Sequence, residues 1–407
     1  MIIPIILVII LIFVLLVFYI YCKRESFSNY EHPYIIDVVT GANHSVFLNK
    51  YGTLYSCGKN MHGRLGTGNE TSLLIPSPLN KKIDVGRVFV GNVSTFLTTP
   101  YPDFTPYATG ENSEGQLGIG TLDNQYSPTQ IPFFKSMKIT KIAVGWYHTI
   151  FLTWDYEVYV TGNNKYGQLA DGTNTNTLVP KKLDLLCRDI AAGQGHSVFL
   201  TTDNKVYTAG WNWYGQLGNG TKRNSNVPYL IDIPEPVDFV HAGMSTSLLV
   251  TSSGNIYLCG DNTKGQLGLS RDIENQRAFT LFTINDEKFW YVASGQTHTF
   301  FLTRNLQVYA VGLNTKGQLG LGHNNTIYKP ELIQFFKDKQ VYKMAAGATH
   351  SVFLTMSGTV YASGDNTMGG QLGVSTITDT NIPVLCDIEI ESNPNAQTYK
   401  MAVVGVN

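Results

Sequence analysis

The chain has 407 residues, with 29 Lys and Arg against 30 Asp and Glu and a formal charge of −1. That balance, with no run of basic residues on any segment, excludes the electrostatic footprint of a nucleic-acid binder. Only 14% of residues are charged while 39 are Gly and 23 are Tyr, which suits short strands joined by tight turns.

The first element is apolar. Ile2 to Tyr21 is twenty residues without a charge. As a helix rising ~1.5 Å per residue it covers ~30 Å, the thickness of a bilayer's hydrocarbon core. Pro4 falls in the first turn, where its missing N–H costs nothing. A cleaved signal peptide is the competing reading, but the run lacks a basic n-region and a small-x-small site before Lys23. Residues 1–22 are therefore read as a transmembrane anchor that meets the lipid bilayer through residues 2–21. Lys23 and Arg24 flank it on the C-terminal side, and the positive-inside rule then puts the rest of this single-pass membrane protein in the cytosol. Residues 23–34 form a short tether.

From residue 35 to 407 one pattern returns seven times. Its clearest copy is Tyr309-Ala-Val-Gly312-Leu-Asn314-Thr-Lys-Gly317-Gln318-Leu319-Gly320, and the others start at Tyr55, Tyr107, Tyr159, Tyr207, Tyr257 and Tyr361. Successive spacings are 52, 52, 48, 50, 52 and 52 residues. Between the copies runs a second element, as in Ala346-Gly347-Ala-Thr-His350-Ser351-Val-Phe-Leu-Thr355, with its glycine at 41, 91, 145, 193, 243, 295 and 347. A period near 50 signals an array or a propeller.

Each period reads as four short strands. In the sixth these include Lys343 to Ala346, Ser351 to Thr355 and Thr359 to Ala362; Thr326 to Ile333, with Pro330 inside it, exemplifies the fourth. Tyr51-Gly52, Asp203-Asn204, Ser253-Gly254 and Ser357-Gly358 mark hairpins between the second and third strands. Ser197-Val-Phe-Leu200 leaves no clean polar face, which predicts sheets covered on both sides. Gly58 and its six equivalents end the third strand where a Cβ would obstruct the turn. The Asn two residues on suits an αL position or an Asx-turn. Because such residues recur within one chain, the unit's own geometry needs them.

The pairing of Gly-x-Asn-x-x-Gly-Gln-Leu-Gly with Ala-Gly-x-x-His-Ser-x-Phe-Leu-Thr resembles the repeat of the RCC1 (regulator of chromosome condensation) family, over nearly all of the chain after residue 34. The resemblance implies an all-β fold, a seven-bladed β-propeller of RCC1-type repeats over 35–407, here preceded by one N-terminal transmembrane helix. Departures are local: Arg64 replaces Gln, Ala170 replaces a Gly, an extra glycine enters at Gly369 or Gly370, and Ser94 and Thr246 replace two of the seven His. The chain opens on the His-Ser-type strand, so the seventh blade is expected to borrow its inner hairpin partner from the N-terminus. Ile35–Gly41 and Tyr399–Gly405 both match the strand before the His element, and only one can take that place.

The glycine-rich loops lack Gly-Lys-Ser/Thr and lead into no helix, so no phosphate cradle and no cofactor is expected. His44, His148, His196, His298 and His350 lie about one period apart without a second ligand nearby, so no metal is expected. Ser45, Ser197 and Ser351 follow a His directly, but neighbours on a strand point to opposite faces, so no Ser–His nucleophile is formed. No catalytic residue, and so no enzyme, is expected. Five cysteines without paired spacing, Cys57 and Cys259 at the same place in two repeats, read as buried hydrophobes in a reducing compartment. Five Asn-x-Ser/Thr sequons, at 43, 69, 92, 219 and 324, are read as chance in a cytosolic domain.

Aromatic residues supply the candidate site. Trp146 and Tyr147 fill the variable slot of one Gly-x-x-His element, and Trp211, Trp213 and Tyr214 fill that of the Gly-x-Asn-x-x-Gly loop one period on. Elsewhere these slots hold mostly small or polar residues. Trp and Tyr there suggest a partner-binding anchor; the competing role is to brace one loop against the next. The family includes a guanine-nucleotide exchange factor acting on a small nuclear GTPase, and many members that serve as interaction modules. The expectation is a membrane-anchored RCC1-repeat propeller acting as a protein–protein interaction scaffold on the cytosolic side, with a small GTPase among the candidate partners. The alternative, an exchange factor, needs a protruding wedge, for which spacings of 48 to 52 leave no insertion.

Overall fold

The hexapeptide His-Ser-Val-Phe-Leu-Thr, at His196–Thr201 and again at His350–Thr355, forms a strand buried along its whole length. β-Branched and aromatic residues favour the extended chain, and with no polar face the strand must lie inside a stack of sheets. The computed structural model, which describes residues 35–389, shows how the stack is made. In the first blade β1 (Ile35–Thr40), β2 (His44–Asn49), β3 (Leu54–Gly58) and β4 (Leu73–Pro78) pair antiparallel in chain order. Six more blades repeat this order over 87–130, 139–186, 187–231, 237–282, 289–332 and 341–385. Thr177–Ala192 is a single 16-residue strand whose first part is the outer strand of blade 3 and whose last part is the inner strand of blade 4.

The inner strands touch one another around a common axis, and the second strands supply the filling between blades. Phe47, Leu97, Phe151, Phe199, Leu249, Phe301 and Phe353 occupy equivalent places and are all buried. Burying one such side chain contributes about 1.5–3 kcal/mol, so this layer alone is a large part of the core. The outer strands form the rim and carry prolines in one register, at Pro76, Pro128, Pro180, Pro228, Pro330 and Pro383; blade 5 has Phe279 there.

The glycines that open each second strand form a ring of close approaches. A Cβ on Gly145 would lie 2.6 Å from the carbonyl oxygen of Gly193 in the next blade, and one on Gly347 2.7 Å from that of Gly41. Backbone bonds run alongside: Trp146 N donates to Gln194 O at 3.3 Å, Gln194 N to Met244 O at 2.9 Å, and Ala348 N to Ala42 O at 2.9 Å. The last of these joins blade 7 to blade 1, so the ring is closed.

Closure differs from the expectation. Blade 7 has all four strands of its own, and Ile35–Thr40 pairs with its own neighbour β2 as the inner strand of blade 1. No strand is lent, because each period already carries four. The seam is held by side chains. Lys343 of blade 7 is paired with Asp37 of β1, Tyr342 Oη donates to Ile36 O at 2.7 Å, and a Cβ on Gly373 would lie 3.0 Å from Pro76. Tyr399–Gly405 lies outside the described residues. So does Ile2–Tyr21, and among the described residues no helix is long and apolar enough to cross a membrane. Helical turns there are three short 3₁₀ segments, Met61–Gly63, Pro132–Phe134 and Gln334–Phe336. Cys57, Cys187, Cys259 and Cys386 are buried free thiols, and burial raises their pKa values, that of Cys187 to about 12.

Candidate partner-binding face

Strand register decides which loops share a face. His148 opposes Gly162 and His196 opposes Gly210, so the turn before each second strand lies beside the loop after each third strand. Backbone bonds tie the two together: Asn163 N donates to Tyr147 O and Trp211 N to Gly195 O, both at 2.7 Å. Every Gly-x-x-His turn and every Gly-x-Asn-x-x-Gly loop therefore opens on one end of the ring, the loop face.

The invariant Asn organises each loop, by a route other than the αL or Asx-turn role expected of it. Asn212 is buried; its Oδ1 accepts from Leu217 N at 2.9 Å and its Nδ2 donates to Asn219 Oδ1 and Thr221 O. Asn60, Asn112, Asn164, Asn262, Asn314 and Asn366 hold their loops through the same contact to a leucine N–H. The Gln that follows caps the loop, as Gln216 Oε1 does for Tyr214 N at 3.0 Å. A loop fixed by buried amides holds whatever occupies its variable positions in one place.

On this frame the aromatic residues form two groups. Trp146 and Tyr147 are stacked, with ring centres 5.8 Å apart and an interplanar angle of 6°. Trp211 stacks on Tyr166 of the preceding loop at 5.8 Å and meets Tyr214 edge-on at 5.6 Å. The two groups adjoin, because Trp146 N bonds Gln194 O and the next residue, Gly195, faces Trp211 and Tyr166. Trp211 thus braces blade 3 against blade 4, whereas Trp213 beside it is 64% exposed. Tyr166 escaped the sequence reading because Tyr at one variable slot carries no signal until its partner across the seam is known.

Charge edges the Trp146–Tyr147 pair. Burial together with the nearby Glu111 and Glu114 carboxylates raises the pKa of the Tyr147 phenol, with Arg64 opposing. Glu114 accepts from Asn163 Nδ2 at 3.0 Å and Asn176 Nδ2 at 2.6 Å, fastening the loop of blade 2 to that of blade 3.

The histidines have a partner that the sequence argument missed. His and Ser on one strand diverge, as expected, but each His reaches the hydroxyl of the next blade. His148 Nε2 lies 3.0 Å from Ser197 Oγ, His196 Nε2 3.0 Å from Ser247 Oγ, and His298 Nε2 2.8 Å from Ser351 Oγ. His350 reaches Ser45 at 3.0 Å across the closing seam, and His44 reaches Thr95 at 3.2 Å. The hydroxyls donate onward to main-chain oxygens, Ser45 to Gln371 O at 2.6 Å and Ser197 to Gln168 O at 2.6 Å. Each imidazole must then be the donor to its hydroxyl, so these pairs act as latches and not as base and nucleophile. Where Thr246 replaces His, His241 accepts from Ser294 N of the next blade at 2.9 Å. Where Ser94 does so, Arg87 reaches the carbonyl of Thr140. Among the described residues no group of His, Cys, Asp and Glu is gathered as a metal site.

Comparisons with known proteins match this geometry. The family model described as the RCC1-like domain matches residues 23–237, and that of the regulator of chromosome condensation (RCC1) repeat matches 253–302 and 307–354. The ultraviolet-B receptor UVR8 of Arabidopsis thaliana is 29% identical over 356 residues, covering 87% of this chain and 70% of that protein. The X-linked retinitis pigmentosa GTPase regulator of Homo sapiens is 33% identical over 352 residues, 85% of this chain but 30% of that longer protein. Among solved structures, Prp20p of Saccharomyces cerevisiae, described with its binding properties to Gsp1p and histones, superposes with a TM-score of 0.70 at 24% identity, covering 78% of this chain and 82% of that one.

Proposed function

Because the chain belongs to the family of RCC1-like domains, we propose that it is an interaction module that binds a protein partner through the loop face of blades 3 and 4. One observation carries the reading: an exposed Trp213 stands beside a packed Tyr166–Trp211–Tyr214 group, on the face where the variable loops gather. A rigid aromatic platform with one exposed indole costs little entropy to dock, which is why Trp and Tyr dominate interface energetics. Trp213 is the anchor, and Trp146, Tyr147, Trp211 and Tyr214 are its support. In this reading Ile2–Tyr21 holds the module at the cytosolic side of a membrane, an assignment that rests on the sequence.

The test separates anchor from brace. Trp213→Ala should leave the melting temperature unchanged and weaken the partner by ~2 kcal/mol, about 30-fold in Kd. Trp211→Ala should lower the melting temperature as well. Partners retained by both variants would refute the site.

A second reading, guanine-nucleotide exchange on a small GTPase, is favoured by the human relative named as a GTPase regulator. A partner GTPase fits both readings, and only catalysis divides them. Release of labelled guanine nucleotide at sub-stoichiometric protein is the assay. The expected outcome is no acceleration, since no repeat carries an insertion to displace the nucleotide.

A further inference from the structure

The end of the ring opposite the loop face carries the hairpin turns between second and third strands and the connections leading to each next blade. Trp154 N donates to Lys138 O at 2.9 Å and Met356 N to Gln340 O at 2.8 Å, which places turns and connections together. Both ends of the described chain leave from here. Ile35 opposes Asn49 beside the first hairpin turn, and Leu385 opposes Tyr361 at the foot of blade 7.

This end also bears exposed amphipathic aromatic residues: Tyr101 at 69%, Trp154 at 49%, Tyr156 at 52% and Trp290 at 63% exposure. The first two are held in place. Trp154 stacks on buried Phe104 at 5.9 Å, Tyr101 meets the same ring edge-on at 6.1 Å, and the Arg87 guanidinium lies 5.5 Å from its centre. Exposed indoles on a rigid base are not explained by the fold's own packing.

We propose that this end of the ring lies against a lipid bilayer, with Tyr101, Trp154, Tyr156 and Trp290 seated among the headgroups and the loop face turned away. The occupant follows from where the chain goes. Residues 22–34 join Ile2–Tyr21 to Ile35, and at ~3.3–3.6 Å per residue they reach ~45 Å at most. If Ile2–Tyr21 spans a membrane, the reading on which this proposal rests, the end that carries Ile35 is the one tied to that membrane, within ~45 Å of it. Trp and Tyr suit the place, because their rings are apolar while the N–H or O–H remains hydrated. Charge gives no comparable pull, because the basic residues of these turns and connections, such as Lys82, Lys138 and Lys288, are offset by acidic ones such as Asp84, Asp155 and Glu287. Neutral lipid should therefore suffice.

All five tryptophans lie beyond residue 145 and none lies in residues 1–34, so indole emission reports only on the ring. The full-length chain is reconstituted in vesicles of phosphatidylcholine brominated near the headgroup end of one acyl chain. Carbonate extraction tests the anchor, and bromine quenching tests the face. The expected result is a chain retained by the vesicles whose quenchable emission is lost in Trp154→Phe/Trp290→Phe and kept in Trp213→Phe. A retained chain whose quenchable emission survives the double substitution, or vanishes with Trp213→Phe, overturns the face assignment and leaves the anchor standing. Release by carbonate overturns the anchor and this proposal with it. Far-ultraviolet circular dichroism of each variant confirms that the ring is folded.

Discussion

At the scale of single residues, the buried imidazoles set how the protein responds to acid. Burial holds His148 and His298 at about 3 and His196, His241 and His350 at about 4, with His44 also well below the usual value. The sign follows from proton uptake. Unfolded histidines titrate near ~6.5, so between about pH 6.5 and 4 the unfolded chain binds more protons than the folded one. Stability is complete above that window and falls as pH drops through it. Each histidine contributes a slope of about 1.4 kcal/mol per pH unit, so six of them can exhaust a typical ~5–15 kcal/mol within one or two units. Unfolding near pH ~5 is the expected result, and urea midpoints at pH 7.5, 6 and 5 check it. A midpoint that does not move across that range would show that the imidazoles are not held neutral. Removing one hydroxyl, as in Ser197→Ala, leaves the His148 N–H buried without its acceptor and should cost about 1–3 kcal/mol at neutral pH.

At the scale of the element, much was legible in the sequence and one part was not. The strands, the hairpin turns and the positive-φ glycines, such as Gly254 at φ 80° and Gly312 at φ 110°, follow from local patterns that a sequence states directly. What the sequence hides is any relation between blades, because residues about 50 apart become neighbours only once the ring exists. The His–Ser latch, the Tyr166–Trp211 stack and the Phe104–Trp154 stack are all of that kind. The Asn hub escaped for a different reason. Its bond to a backbone N–H five residues on is no standard turn, so only the buried amide with its partners discloses it. The glycine ring is the sharpest case of a local residue with a distant cause. Gly193→Ala needs no unusual φ but drives a methyl against the Gly243 oxygen, 2.6 Å away. Overpacking of that kind typically costs ~1–3 kcal/mol, and the buried His196 ring, 2.1 Å from the same Cβ, leaves this site at the upper end. Thermal unfolding of Gly193→Ala beside Gly195→Ala, where the nearest side-chain atom is 3.4 Å off, isolates the effect.

At the scale of the whole molecule, the ring closes without an exchanged strand, so its seam is made as the other seams are. A latch, a backbone bond, an ion pair and a proline against a glycine do at blades 7 and 1 what similar contacts do elsewhere. Lys343 keeps about a quarter of its side chain exposed, so removing its partner should cost less than breaking a fully buried pair. Asp37→Ala is expected to lose roughly 1–3 kcal/mol. Asp37→Val with Lys343→Leu should recover most of that, as urea titration of the two variants will show. Deleting residues 1–40 removes β1 and with it the Ile35 and Val38 packing against blade 7, and cooperative unfolding should disappear. If that truncation melts as one sharp transition, the inner strand of blade 1 is dispensable and the seam is held by the rim alone.

The prolines of the outer strands carry this logic outward. A rim strand offers unpaired N–H groups that a second molecule can zip onto, and a proline in the middle of the strand deletes the donor at the place where zipping would start. Six blades are capped in this way, and five of these prolines wedge against a loop glycine of the blade before, as Pro383 does at 3.0 Å from where a Cβ on Gly320 would stand. Phe279, which stands where the proline would, keeps its N–H and leaves Asn275–Phe282 of blade 5 uncapped. Crowded side by side, such rings would slide past one another on every side but that one, so edge-to-edge aggregation has a single address.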